Sequence, residues 1–331
     1  MISKTISSIL TVTFLLLFSS VKAQKQLIQP PYLQKGDTVV MLAPAGLLSG
    51  KKAILDKAAQ LAKSWGLIVI YSKNLLNNSH HFSGTDTQRT ADFQKALDNP
   101  NIKAIWAGRG GYGTVRILDQ LDFTNFRKSP KWIIGYSDIT ALHNHVHNLG
   151  FETMHAMMGV NLSNKPEDIS ETIASFKKAL FGKRLKYKVE PSIYNREGKV
   201  TGQLVGGNLS LIVSMLGSNS AISTDGKVLF IEDVGEQNYS IDRMLQTLKR
   251  AGYFKHLRAL VVGDFSSVKP NNPYWGSTTQ QLILDVVKEY NFPVLFDFPA
   301  GHKKDNRALI LGRTVKLNVC RDKKSTLVFL K

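Results

Sequence analysis

Cysteine is almost absent: Cys320 stands alone in 331 residues. One thiol excludes an internal disulfide and any zinc or iron–sulfur site built on several cysteines. Acidic residues are scarce too, 25 against 43 Lys and Arg, for a net charge of +18. No apolar run reaches the about 20 residues that a membrane-spanning helix needs. Repeats and biased segments are missing, so fibrous and low-complexity readings fall away. What is there is a globular composition, 43% hydrophobic and 21% charged, at a length that suits two domains. The basic residues come in scattered pairs (Lys51-Lys52, Arg127-Lys128, Lys303-Lys304, Lys323-Lys324) and are not massed in one arm, so no nucleic acid partner is expected. A basic protein of this kind suits an anionic envelope polymer or an anionic substrate.

Residues 1–23 read as a secretory signal. Lys4 supplies the charged start, 9–18 the apolar centre, and Val21 and Ala23 stand where a signal peptidase reads before a cut after Ala23. The apolar run is too short to span a bilayer, and no cysteine follows it to carry a lipid. The expectation is an exported, periplasmic protein with no membrane span after processing.

From residue 36 onward strand and helix patterns alternate. Residues 38–43 form an apolar run broken by Pro44 and Gly46, and 51–65 place Ile54, Leu55, Ala58, Ala59, Leu61 and Ala62 at helical spacing. Gly66 stops that helix before a strand at 67–71. Helix 88–97, strand 104–107, helix 115–121, strand 131–135 and helix 139–149 follow. This order builds a parallel sheet with helices on both faces. After about residue 182 the pattern changes to an exposed strand (183–189), helix 209–216, strand 228–231, helix 241–250, strand 259–263, helix 278–290 and two closing strands, 314–319 and 325–330. The expected fold is α/β: a doubly wound parallel-sheet domain over 24–185, then a smaller mixed α/β domain over 192–331.

Chemistry concentrates where strands end. Gly135-Tyr136-Ser137-Asp138-Ile139 joins an apolar strand to a helix, so Ser137 projects near a helix N-terminus that favours a developing oxyanion. A helix cap made by Ser137 or Asp138 is the alternative at this point. Gly108-Arg109-Gly110-Gly111-Tyr112-Gly113 leaves another strand, and its glycines let backbone N–H groups approach an anion. The spacing also satisfies a dinucleotide fingerprint, but the acid that fingerprint wants about 20 residues on is not at a strand end. A plain flexible turn remains open. Glu232, in Ile231-Glu232-Asp233, and His302, after Gly301, supply the acceptor and the base that a serine nucleophile requires. His143 and His147 lie four apart near His145 and His155, yet Asn144 stands where a zincin places its glutamate base, so no metal is expected and surface histidines are the reading. Cys320 reads as a buried structural thiol, and Met154, Met157 and Met158 as a core or pocket wall.

Taken together and in order, several stretches resemble the LD-carboxypeptidases, serine peptidases that include muramoyltetrapeptide carboxypeptidases and microcin-immunity peptidases. They are Lys35-Gly36-Asp37-Thr38-Val39 to Ala43-Pro44, Ser83-Gly84-Thr85-Asp86 with Arg89 and Asp92, and Arg109-Gly110-Gly111-Tyr112-Gly113 through Arg116 to Leu121-Asp122-Phe123. Ile134-Gly135-Tyr136-Ser137-Asp138-Ile139-Thr140, Gly206-Gly207-Asn208-Leu209, Leu229-Phe230-Ile231-Glu232-Asp233 with Asp242-Arg243, and Gly301-His302 complete the set. The resemblance implies a glutamine-amidotransferase-like first domain and a swivelling-type second one. It implies a Ser137–Glu232–His302 triad, with Glu236 a rival acid, and an oxyanion hole from the amides of Asp138 and Gly110 or Gly111. It also implies cleavage of the L,D amide before a C-terminal D-alanine of murein tetrapeptide or a related small peptide, without cofactor. Asn208 and Arg109 are the expected contacts to the substrate carboxylate, and the family's habit implies a homodimer. His155-Ala156-Met157-Met158 departs from the His-Gly-Pro stretch of many members, and the export signal departs from their cytoplasmic action. Two alternatives stand beside this: an exported wall-peptide binding protein without turnover, and an immunity-type peptidase acting on another peptide or peptide–nucleotide amide.

Overall fold

The computed structural model describes residues 26–330; the expected signal segment and its cut after Ala23 lie outside them. In chain order the first part contains β1 (Thr38–Leu42), α1 (Lys52–Ser64), β2 (Ile68–Tyr71), α2 (Asp86–Asp98), β3 (Ile102–Ala107), α3 (Thr114–Leu118), α4 (Thr124–Lys128), β4 (Trp132–Gly135), α5 (Thr140–Asn148), β5 (Thr153–His155) and α6 (Ser170–Leu180). The remainder contains β6 (Lys186–Val189), β7 (Gly198–Asn208), α7 (Leu209–Ser214), β8 (Val228–Val234), α8 (Asn238–Arg250), β9 (Ala259–Ser266), α9 (Thr279–Val286), β10 (Val294–Leu295), β11 (Leu309–Leu311), β12 (Thr314–Val319) and β13 (Ser325–Phe329).

These strands form two sheets, ordered β11-β5-β4-β3-β1-β2 and β10-β9-β8-β7-β12-β13-β6. The first is parallel except for β11, which pairs antiparallel with β5 after the chain returns from the second sheet. The unbroken apolar run of β1 serves both faces: Val39 and Met41 pack with Leu55 and Ala58 of α1, whereas Val40 and Leu42 pack with Phe93 of α2 and Leu142 of α5. The second sheet is mixed. Its parallel half alternates in the same way, with Leu229 and Ile231 under Ile241, Leu245 and Ile283 of α8 and α9, and Val228 and Phe230 on the other side. That other side shares one apolar core with α1, α6 and the first sheet, so the two sheets are fused through a common interior.

A buried ion pair marks the seam. Arg313, in the β11–β12 turn, donates through Nε to Glu152 Oε1 at 3.0 Å, pairs a second time with that carboxylate, and also donates to Gln29 at 2.7 Å and to Tyr32. The side chains of Arg313 and Glu152 are only 9% and 6% exposed. Removing one partner leaves a desolvated charge uncompensated, so Arg313→Met should cost about 3–5 kcal/mol in a denaturation series, and Arg313→Met with Glu152→Leu should recover most of it. A single-variant cost below about 1 kcal/mol would contradict the reading.

Candidate active site

Gly135 ends β4, and Ser137–Ile139 form one tight turn of helix before α5. Ser137 adopts φ 61, the left-handed region that a residue with a Cβ occupies only under constraint. The constraint is visible: the buried His143, on the following helix, donates from Nε2 to the Gly135 carbonyl at 3.0 Å, and the same carbonyl accepts the Ala156 N–H at 3.1 Å. Asp138 does not cap its own helix. Its buried carboxylate accepts the Thr114 N–H at 2.8 Å, tying the elbow to the start of α3 and hence to the glycine loop. Burial pushes that carboxyl upward, against the hydrogen bonds from Thr114 and Gly113.

The glycine loop lies against the serine. A Cβ on Gly110 would stand 3.2 Å from Ser137 Cβ and 3.4 Å from the Asp138 nitrogen, so a side chain there would fill the space in front of the hydroxyl. Among the described residues, the N–H groups of Gly110 and Gly111 donate to no protein acceptor. Arg89 fixes the loop from behind. Fully buried on α2, it donates to the Gly113 carbonyl at 2.9 Å and to the Pro44 carbonyl, and it pairs with Asp86, which also binds Arg116 at 2.6 Å. The sequence offered Arg89 as a family marker without a role; a buried arginine joining two strand-end loops is visible only in the fold.

The second sheet brings the acid and the base. Asn208 pairs in register with Glu232, and the Asn208 N–H donates to the Thr140 hydroxyl at 3.0 Å. Gly207, at φ 140, lets Thr140 approach to a distance that any Cβ would block. This contact seats the helix after the serine directly on the strand ends that carry the acid. Glu232 is fully buried, and His302 lies between it and the serine: Nδ1–H donates to Glu232 Oε2 at 2.7 Å, and Nε2 accepts the Ser137 hydroxyl at 3.0 Å. An ionised carboxylate only accepts, which sets the histidine tautomer and leaves Nε2 free for the hydroxyl proton. Tyr136 packs edge-on to His302 with ring centres 5.1 Å apart. The Gly301 N–H is held by the Asn306 side-chain oxygen at 2.9 Å, which also takes a hydrogen bond from His155 at 3.1 Å.

Burial drives the Glu232 carboxyl above its usual range, with the neighbouring Asp233 adding to the rise and the His302 contact opposing it. Burial alone would lower His302, but the hydrogen bond and charge of Glu232, with Asp233 and Asp264 nearby, outweigh it and raise the imidazole above 6.5. A general base must be neutral, so activity should fall with decreasing pH, with an acid-limb midpoint above 6.5 in kcat/KM. A midpoint below about 6 would contradict this geometry.

Two expectations change. Asn208, expected at the substrate carboxylate, is buried instead: its amide donates to Asp233 at 3.0 Å and its oxygen accepts the Leu211 N–H at 3.2 Å, capping α7. It braces the acid. The histidines read as surface residues are mostly interior, with His143, His147 and His155 at most 9% exposed and burial pushing them down to about 4, 3 and 3. Glu236 makes no hydrogen bond to His302; its carbonyl accepts the Lys269 N–H. Arg109 is half-buried, donates to the Leu47 carbonyl at 2.8 Å, and has no carboxylate partner among the described residues. Cys320 is buried, and Met154, Met157 and Met158 sit in the core, as expected.

A hydroxyl, an imidazole and a buried carboxylate in line, beside unpartnered backbone amides, is the arrangement of a serine hydrolase. Comparison with known proteins narrows the class. Residues 39–156 match the LD-carboxypeptidase N-terminal domain and residues 201–317 the LD-carboxypeptidase C-terminal domain. The chain is 37% identical over 294 residues to the probable murein peptide carboxypeptidase of Bacillus subtilis, covering 88% of this chain and 91% of that protein. It superposes on the muramoyltetrapeptide carboxypeptidase from Oxalobacter formigenes with a TM-score of 0.81 at 28% identity, covering 89% of this chain and 99% of that one. MccF in complex with glutamyl sulfamoyl guanosine shares the fold, with a TM-score of 0.82 at 22% identity, over 93% and 99% of the two chains. The protein belongs to the LD-carboxypeptidase family of serine peptidases.

Proposed function

We propose that this protein removes the C-terminal D-alanine of murein tetrapeptide through an acyl-enzyme on Ser137. The observation that carries the proposal is the line from Glu232 through His302 to Ser137, with contacts of 2.7 and 3.0 Å. His302 takes the hydroxyl proton as Ser137 Oγ attacks the carbonyl before D-alanine. The resulting oxyanion rests on the N–H of Asp138 and on the Gly110-Gly111 pair; each such donor is worth about 3 kcal/mol of barrier. His302 then gives its proton to the leaving amine, and water, deprotonated by the same imidazole, releases the tripeptide. Arg109 is the residue of choice for the terminal carboxylate, because its guanidinium faces no acid of its own. The segment 1–23 directs this activity to the periplasm, and the mature chain begins at Gln24.

A panel of purified substrates, followed by mass spectrometry, tests the reading: murein tetrapeptide, murein pentapeptide and a peptide–nucleotide amide. D-alanine release from the tetrapeptide is the expected outcome. Tight tetrapeptide binding without release would favour a binding protein, and cleavage of the nucleotide conjugate alone would favour the specificity that the MccF likeness leaves open.

A further inference from the structure

The helices that cover the outer face of the second sheet stop at its parallel half. Val205, Leu229 and Ile231 lie beneath α8 and α9, but the same face continues across β7, β12, β13 and β6 without cover by any of the described residues. The inward side chains of that half, Tyr187, Val189, Val315, Leu317, Leu327 and Phe329, belong to the core. The outward positions alternate with them. Register sets them in two rows: Lys186, Val328, Lys316 and Thr201 in one, Lys188, Thr326, Asn318 and Lys199 in the next. All four lysines are exposed, and none pairs with a carboxylate among the described residues. Among the described residues, acids appear at the lower rim, where Glu190 binds Lys324 and Glu197 accepts the Arg321 N–H.

We propose that this face docks the protein on an anionic phospholipid bilayer. With neighbouring strands about 4.8 Å apart and same-face residues about 7 Å apart along a strand, the cations form a sheet-wide array and do not line a groove. A broad array complements a lipid surface better than a single linear polymer, which a groove would grip. Lysine, a hydrated point charge, suits diffuse attraction to headgroups. Ile193, 76% exposed, lies in the connection between β6 and β7, at the end of the strands that carries Lys188 and Lys199. It supplies the apolar contact that a soluble polyanion would not use. The ten residues of β7 from Lys199 to Asn208 span roughly 30 Å, which holds the active site clear of the surface. The inference stands apart from the peptidase reading and uses none of its residues.

Co-sedimentation of the full chain with phosphatidylglycerol–phosphatidylcholine vesicles, against pure phosphatidylcholine vesicles, tests it. The neutral vesicles account for any binding by the apolar run 9–18. The chain should prefer the anionic vesicles and lose that preference in high salt. Replacing Lys186, Lys188, Lys199 and Lys316 with Gln should weaken anionic binding by nearly three orders of magnitude, at about fivefold per lysine. A control replacing the exposed Lys57, Lys63, Lys73 and Lys95 with Gln removes the same charge from the first domain and should bind nearly as the native chain does. Both variants should retain hydrolysis of soluble peptide, which also reports folding. Equal loss in the two variants would overturn the proposal, as would retention by the sheet variant. Binding of soluble polyphosphate without binding of vesicles, unaffected by Ile193→Ser, would overturn it in favour of a polymer.

Discussion

Ser137→Ala should leave a folded protein whose release of D-alanine from murein tetrapeptide is about 10⁴–10⁶-fold slower than that of the native chain. The substitution keeps the Cβ that packs against Gly110 and removes only the oxygen that stands 3.0 Å from His302 Nε2. The elbow is set by His143, Ala156 and Thr114, none of which touches that oxygen, so the thermal midpoint should hardly move. The residual rate would reflect positioning and the backbone amides alone. A variant within about tenfold of the native rate would assign the nucleophile elsewhere.

Glu232→Gln should lower kcat by about 10⁴-fold near neutral pH and also move the pH profile. A buried amide can present its NH₂ to Nδ1 and favour the tautomer that turns an N–H toward Ser137, where no acceptor is wanted. The charge that lifts His302 also disappears, while the burial that lowers it remains. The acid-limb midpoint in kcat/KM should therefore fall below that of the native protein. A carboxylate with a merely structural role would change stability and leave that midpoint in place. Since Asp233 and Asp264 still bear on the imidazole, the shift should be partial, and Glu232→Asp should restore some rate and some of the upward displacement.

Much of the first sheet was legible because its central strands are buried on both faces and read as unbroken apolar runs. The 38–43 run and the β4 run are examples, and each ends where a loop carries chemistry. The long strand β7 was missed because Gly198, Gly202, Gly206 and Gly207 interrupt any alternation. Those glycines serve approach more than propensity, as the Gly207 contact with Thr140 shows. The helix α6 was overlooked although Ile173, Phe176, Ala179 and Leu180 carry the spacing, and β11 is too short to announce itself. Its pairing with β5 carries the chain back from the second sheet to the first, a long-range fact no local pattern encodes.

The candidate residues were legible one at a time, each at a strand end, while their meeting was expected only from the family resemblance. Ser137 and His302 are separated by 165 positions and meet through two sheets that the sequence places only in order. Asn208 was misread for a related reason. An amide in a glycine-rich strand end looks available to a ligand, but here the fold uses both of its faces, one toward Asp233 and one toward the start of α7. The histidines misled in the opposite way: a histidine is polar and suggests an exposed helix face, whereas most of α5, His143 and His147 included, is buried.

The most direct test is to locate the covalent intermediate. A serine-reactive fluorophosphonate should phosphonylate one residue of the native protein, and peptide mapping by mass spectrometry should find the adduct on Ser137. Labelling should be absent in Ser137→Ala and strongly slowed in His302→Ala, in step with loss of D-alanine release. A fully active protein that takes no label at Ser137, or a Ser137→Ala variant that keeps both label and turnover, would contradict the account.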